Sequence, residues 1–334
     1  MQERDVVIIG AGPAGLSAAI FTKLDGWNTT ILEGNWVGGQ GAIAYSVVNY
    51  PGFPPGDGKM LMEMMEKQTT LPPPAGVGVE LRHEMAMDID PDRLIVTTEA
   101  DSYRAKAIIL ATGSKMKRLG VSGEERFAGK GVSYYAVRDL EGFAGKKVLV
   151  VGGGNSTAKS ALIAKTKTDD VLLIHRRDSL RAYPPMVKRL QNEGVRIRYN
   201  TQLKAIKGGD RVEGALLIDN KTGAEEEISV DWIVICVGTE PNIELPQKIG
   251  LEMDGQFVKV DGRMRTSKDG IFACGELVPS WRHLVNAAAG GASAGMNVSE
   301  YLAMEMLKAG KTFEGTKNGK YASEFLEMLD KKIS

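Results

Sequence analysis

The chain has 334 residues, 43% hydrophobic and 25% charged, with 42 Lys plus Arg against 42 Asp plus Glu. That length predicts two domains rather than one core, and the composition excludes a disordered or membrane-embedded chain. The zero formal charge argues against nucleic-acid and anionic-lipid surfaces, which need a basic excess.

No run of about 18 apolar residues is present to span a bilayer. The N-terminus, MQERDVVIIGAG, passes straight into an apolar strand and lacks the basic start, apolar stretch and cleavage site of a signal peptide, so a cytoplasmic location is expected. Two cysteines, Cys236 and Cys274, lie too far apart in sequence for a local Cys-x-x-Cys pair, a disulfide framework or a zinc cluster. The three histidines have no ligand spacing, and no metal site is expected.

In chain order, residues 5–9 form a continuous apolar, β-branched run, as in a strand buried on both faces of a parallel sheet. A glycine turn, a helix and a second strand ending at Glu33 follow. A Pro/Gly-rich stretch (49–58), a Met/Glu helix (59–68) and the turn LPPPAGVG lead to strands at 94–98 and 107–111. Residues 146–176 repeat the first plan, which implies a second nucleotide site. Gly10 to Glu33 and Gly152 to His175 both span 23 positions. Further strands are predicted at 195–199, 214–218, 232–237 and 271–274, then a small-residue helix over 287–307. The Lys- and Gly-rich end is predicted to finish in a short amphipathic helix.

Gly10, Gly12 and Gly15, with Pro13 and Ala14 between them, follow a predicted strand and open a predicted helix, the context that makes a GxGxxG pattern informative. Gly10 permits the tight turn, Gly12 lets the backbone approach a diphosphate, and Gly15 lets helix and strand pack closely. The diphosphate is then stabilised by the N–H groups and dipole of the helix N-terminus. Glu33 is placed to accept from ribose hydroxyls and would repel a 2′-phosphate, so this site suits FAD or NAD. A purely structural glycine turn is the alternative.

The second turn contains Gly152, Gly154, Asn155 and Ser156, but Thr157 stands where Gly or Ala normally allows close packing. Its second strand ends in His175, Arg176 and Arg177, with Arg181 a turn later. Guanidinium groups offer a 2′-phosphate bidentate charge-assisted hydrogen bonds, so NADPH is favoured over NADH; a solvated basic face is the alternative. Thr112 and Gly113, and later Gly238, close apolar strands and mark where the chain crosses between domains. Gly275 and Glu276 close another strand, where an acid can hold a ribityl hydroxyl and the following helix can face the flavin pyrimidine edge.

Taken together, GAGPAG, GGQ (38–40), NYPGFP (49–54), ATG, GGGNS, HRRxxxR, GTEPN (238–242), MRTS (264–267) and GIFACGE (270–276) resemble the low-molecular-weight thioredoxin reductase family over nearly the whole chain. The resemblance implies an α/β fold of two Rossmann-like three-layer domains. The FAD domain is made of residues 1–117 and 245–334, with an NADPH domain, 118–244, inserted between them. It also implies a homodimer, with Gly12, Glu33, Gly39, Gln40, Asn49 and Glu276 at FAD and Gly154, Arg176, Arg177 and Arg181 at NADPH. Glu276 replaces the usual Asp.

One departure is large. The family's redox disulfide lies in a Cys-Ala-Thr-Cys-Asp stretch, which reads Tyr135-Ala-Val-Arg138-Asp139 here. Without those thiols the family's exchange with thioredoxin is not expected. Tyr135, Arg138 and Asp139 are the candidates for that position, with plain surface residues as the alternative. The expectation is an NADPH-oxidising flavoenzyme passing electrons directly to ferredoxin or flavodoxin, as in related ferredoxin-NADP reductases, or to oxygen, a quinone, free flavin or a metal ion. A slow redox sensor, or a disulfide reductase that borrows a partner's thiols, are the rival expectations.

Overall fold

A computed structural model describes residues 1–310; the amphipathic helix expected near the C-terminus lies outside the described residues. The helices are α1 (Pro13–Leu24), α2 (Gly58–Thr70), α3 (Asn155–Lys165), α4 (Pro184–Asn192), α5 (Glu244–Lys248) and α6 (Leu284–Lys308). The chain forms two compact units, one from Met1–Lys115 with the chain from Pro241 onward, the other from Met116–Glu240.

In the first unit a five-stranded parallel sheet runs in the order Ile271–Ala273, Ala107–Leu110, Val6–Ile9, Thr29–Leu32, Glu80–Arg82. Side chains alternate across a strand, so an all-apolar strand feeds two cores. Val6 and Ile8 pack with Leu16 of α1 and Val298 of α6. Val7 and Ile9 pack instead with Ile89, Val96 and Tyr103, from a second sheet of Gln2–Glu3, Ser102–Arg104, Ile95–Thr98 and Ala86–Asp90. Helices, parallel sheet and second sheet make three layers.

The second unit repeats this plan. Its parallel sheet runs Val132–Ser133, Trp232–Cys236, Val148–Gly152, Val171–Ile174, Arg196–Arg198. Val148 and Val150 meet Ala158, Ala161 and Ala164 of α3 and Leu190 of α4. Leu149 and Val151 meet Leu203, Ile206 and Leu217 of a three-stranded antiparallel sheet. The 23-residue spacing read from the sequence is the parallel register itself: Val6 sits beside Thr29 and Val148 beside Val171.

α1 and α6 approach through small residues. A Cβ at Gly291 would strike the Ala14 backbone, and one at Gly295 the Ala18 carbonyl at 2.6 Å. This close packing brings the start of α1 next to the turn holding Glu276, because Gly275 also abuts Ala14.

Candidate functional site

In the first unit the strand Val6–Ile9 runs into Gly10, whose φ of +106° no side chain adopts cheaply and whose Cβ would collide with the Ala111 carbonyl. Pro13 opens α1 at a position where its missing N–H costs nothing. The N-cap, Gly12, offers no side-chain cap, and a Cβ there would meet nothing within 4 Å. The helix end is therefore an uncapped set of N–H groups beside open space, which fits a nucleotide diphosphate. Gly15, by contrast, sits so close to the Gly10 carbonyl that no side chain fits.

Glu33 is buried, with its carboxylate held by the backbone: Ala11 N donates to one oxygen at 2.8 Å and Asn35 N to the other at 2.8 Å. Each oxygen retains a lone pair for a ribose hydroxyl. Gly39 lies beside the turn, its Cβ position 3.8 Å from the Gly12 Cα. Gln40 follows and donates to Ser114, at 2.6 Å to the carbonyl and 2.5 Å to the hydroxyl. The Ser114 hydroxyl donates in turn to Glu276. Thr112 exchanges hydrogen bonds with Asn242, accepting at its carbonyl (2.7 Å) and donating from its hydroxyl (3.0 Å), while Gly113 accepts from Asn242 N. Asn49 is exposed, on a loop closed by the Val47–Gly56 bridge. Sequence reasoning singled out Glu276 and Gln40, and read Asn242 only as the end of the GTEPN turn, but missed Ser114; an extra hydroxyl after the ATG turn was the available signal for it.

The second unit has the same turn built differently. Gly152 has φ +148°, and Gly154 is open, with nothing within 4 Å of its Cβ position. Thr157 does not crowd the helix. Its buried hydroxyl accepts from Gly154 N at 3.3 Å and donates to the Cys236 carbonyl at 3.2 Å, tying the turn to the neighbouring strand. The arginine segment is latched onto this turn: Arg181 N donates to the Gly153 carbonyl at 2.7 Å, and Tyr183 N to the Asn155 side chain at 2.9 Å. Arg176, Arg177 and Arg181 are exposed, as is Ser156.

His175 differs from the arginines beside it. It is 5% exposed, its ring occupies the space a side chain at Gly153 would need, and its Nε2 has no hydrogen-bond partner among the described residues. Burial pushes its pKa below the usual histidine value, a hydrogen bond to Gly152 opposes the shift, and Arg181, Arg177 and Arg176 add to it. The neutral ring thus props the glycine turn from below while the guanidinium groups stay in solvent. Gly238 receives Lys117 N at 2.9 Å.

Tyr135, Arg138 and Asp139 do come together. The Arg138 guanidinium lies 5.4 Å from the centre of the Tyr135 ring and 3.5 Å from the Asp139 carboxylate. Ser133, unnoticed in the sequence, links them: its hydroxyl donates to Asp139 at 2.5 Å and accepts from Tyr135 N at 3.1 Å. Burial raises the Tyr135 pKa, with Arg138 opposing. The two thiols are free and buried, Cys236 pushed up to about 11 and Cys274 to about 12 by burial. Neither forms a thiolate readily at neutral pH.

The sequence model of the pyridine nucleotide-disulphide oxidoreductase family matches residues 4–291. The thioredoxin reductase of Treponema pallidum is 36% identical over 303 residues, covering 89% of this chain and 97% of its own length. Among solved structures, the thioredoxin reductase of Lactococcus lactis superposes with a TM-score of 0.83 at 32% identity, covering 90% of this chain and 99% of that one. That of T. acidophilum gives 0.81 at 30% identity, with the same 90% and 99% coverage.

Proposed function

Because the chain belongs to the pyridine nucleotide-disulphide oxidoreductase family, it is an FAD- and NADPH-dependent oxidoreductase, and we propose that its electrons reach an external acceptor without a dithiol of its own. Bound FAD would supply the hydride- and electron-transfer chemistry. The chain's residues bind and orient. Gly10, Gly12, Pro13, Ala14 and Gly15 form the turn and uncapped helix end for the FAD diphosphate, Glu33 accepts from its ribose, and Gln40 and Glu276 serve the ribityl chain. Gly152, Gly154, Asn155 and Ser156 offer the same kind of helix end to NADPH. Arg176, Arg177 and Arg181 take the 2′-phosphate, and His175 supports the turn they are latched to.

The observation that carries the proposal is the state of the thiols. Cys236 and Cys274 are the only two cysteines of the sequence and both are buried with raised pKa values; by the sequence resemblance, Tyr135 and Arg138 take the places of the family's two redox cysteines and Asp139 follows them. The acceptor class is then ferredoxin or flavodoxin, or a small molecule such as oxygen, a quinone, free flavin or a metal ion. A homodimer is part of this reading. An anaerobic screen of these acceptors against NADPH oxidation tests it: rapid bleaching of the flavin by NADPH and turnover with at least one of them is the expected result. Robust turnover with thioredoxin and with none of the others would overturn it. The names of its relatives favour a second reading, in which the acceptor is thioredoxin; with no dithiol in this chain's own motif, that reading needs thiols that a partner supplies.

A further inference from the structure

Gln40, Ser114 and Glu276 come from three separate segments and meet where the parallel sheet of the first unit ends. Ser114 follows the strand Ala107–Leu110, and Glu276 follows Ile271–Ala273, its direct neighbour in the sheet. Gln40 sits in the short turn Gly39–Ile43 beside Gly12. All three are half-buried, so water does not fully compete for their hydrogen bonds.

The direction of the hydrogen bonds follows from the inventory of donors. A carboxylate only accepts, so the Ser114 hydroxyl must spend its single proton on Glu276. The same oxygen then has only lone pairs left, and the Gln40 amide N–H fills one at 2.5 Å while also reaching the Ser114 carbonyl at 2.6 Å. The chain Gln40 N–H to Ser114 O–H to Glu276 is thus polarised one way, each bond strengthening the next. Its result is a sorted set of acceptors. Among the described residues Glu276 keeps one carboxylate oxygen uncommitted, and Gln40, its amide nitrogen held, keeps its carbonyl oxygen. Such a pair matches a polyol, whose hydroxyl groups need acceptors, and mismatches a phosphate.

We propose that Ser114 is a positioning residue for FAD, whose hydroxyl fixes Glu276 and the Gln40 amide so that their remaining oxygens accept from ribityl hydroxyls. The additional methylene of Glu276, compared with an Asp, is what requires such a holder, since a longer side chain has more rotamers to lose on ordering. This inference rests on the FAD assignment of the first unit.

The test is a double-mutant cycle on Ser114→Ala and Glu276→Asp in the full-length apoprotein, titrated with FAD and followed by quenching of flavin fluorescence. Ser114→Ala is expected to raise the Kd for FAD by about tenfold, the scale of one lost hydrogen bond to a charged group. Ser114→Thr, which keeps the hydroxyl, is expected to restore it to within about twofold. The double variant is expected to bind FAD no more weakly than Ser114→Ala alone, because once the hydroxyl is gone neither Glu276 nor a shorter Asp is held by it. NADPH binding is expected to be the same in every variant. Wild-type affinity in Ser114→Ala, full additivity in the cycle, or a Thr variant as weak as the Ala variant would overturn the proposal. A wild-type apoprotein that takes up no FAD would instead overturn the FAD assignment itself.

Discussion

At the scale of single residues, the two proposed nucleotide sites differ in charge. Glu33, each carboxylate oxygen held by one backbone N–H and still able to accept another donor, sits at the position where the second unit places His175 and the start of its arginine cluster. Replacing Arg176 and Arg177 by Gln is expected to raise KM for NADPH at least about tenfold, the loss of charge-assisted hydrogen bonds, and to leave KM for NADH nearly unchanged; steady-state kinetics with both cofactors checks this, and equal effects would remove the 2′-phosphate assignment. His175 carries a pH dependence. Its folded pKa lies below the usual value of about 6.5, so the unfolded chain binds the proton more readily. The stability it contributes is present above about pH 6.5 and is lost as pH falls from there toward the folded pKa. Urea unfolding at pH 7.5 and 5.5 is expected to show the loss, and His175→Gln is expected to reduce the difference between the two pH values.

At the scale of elements, the start of α1 is left open while the packing behind it is tight. α6 presents Gly291 to the Ala14 backbone with no room for a methyl group, and this contact holds the first turn of α1 beside the Glu276 turn. Gly291→Ala is expected to destabilise the first unit by about 1–3 kcal/mol, as overpacking does, and to loosen FAD, measured as a fall in Tm together with flavin released on gel filtration. Gly12→Ala meets open space and is expected to leave Tm unchanged without ligand while weakening FAD, because its methyl group lies where the diphosphate would approach. A parallel drop in both measurements for Gly12→Ala would mean that the turn is structural only.

At the scale of the whole molecule, the redox route is a question of which groups can carry electrons. Both thiols are buried and shifted away from the thiolate, so alkylation of the native protein with a maleimide is expected to leave NADPH-driven acceptor reduction within about twofold of the untreated rate. Complete inactivation, with modification mapped to Cys236 or Cys274, would bring a thiol back into the mechanism. Among the described residues no helix is long and apolar enough to cross a membrane.

The sequence by itself determined the elements whose signal is local: the all-apolar strands, the glycine turns, and the 23-residue spacing that is the register of both parallel sheets. It also placed Glu33 and the start of the arginine cluster at matching strand ends, because their distance from a glycine turn is set by one helix and two strand ends. Only the tertiary structure decided what depends on residues distant in sequence. The second sheets were largely missed, since strands such as Thr201–Lys207 alternate buried and exposed residues on a half-solvated edge and carry no continuous apolar run. The burial of His175, the fit of Thr157 and the Gln40–Ser114–Glu276 chain were equally hidden. Ser114 and Glu276 stand 162 positions apart, and a hydrogen bond over that separation exists only because two neighbouring strands end at the same edge.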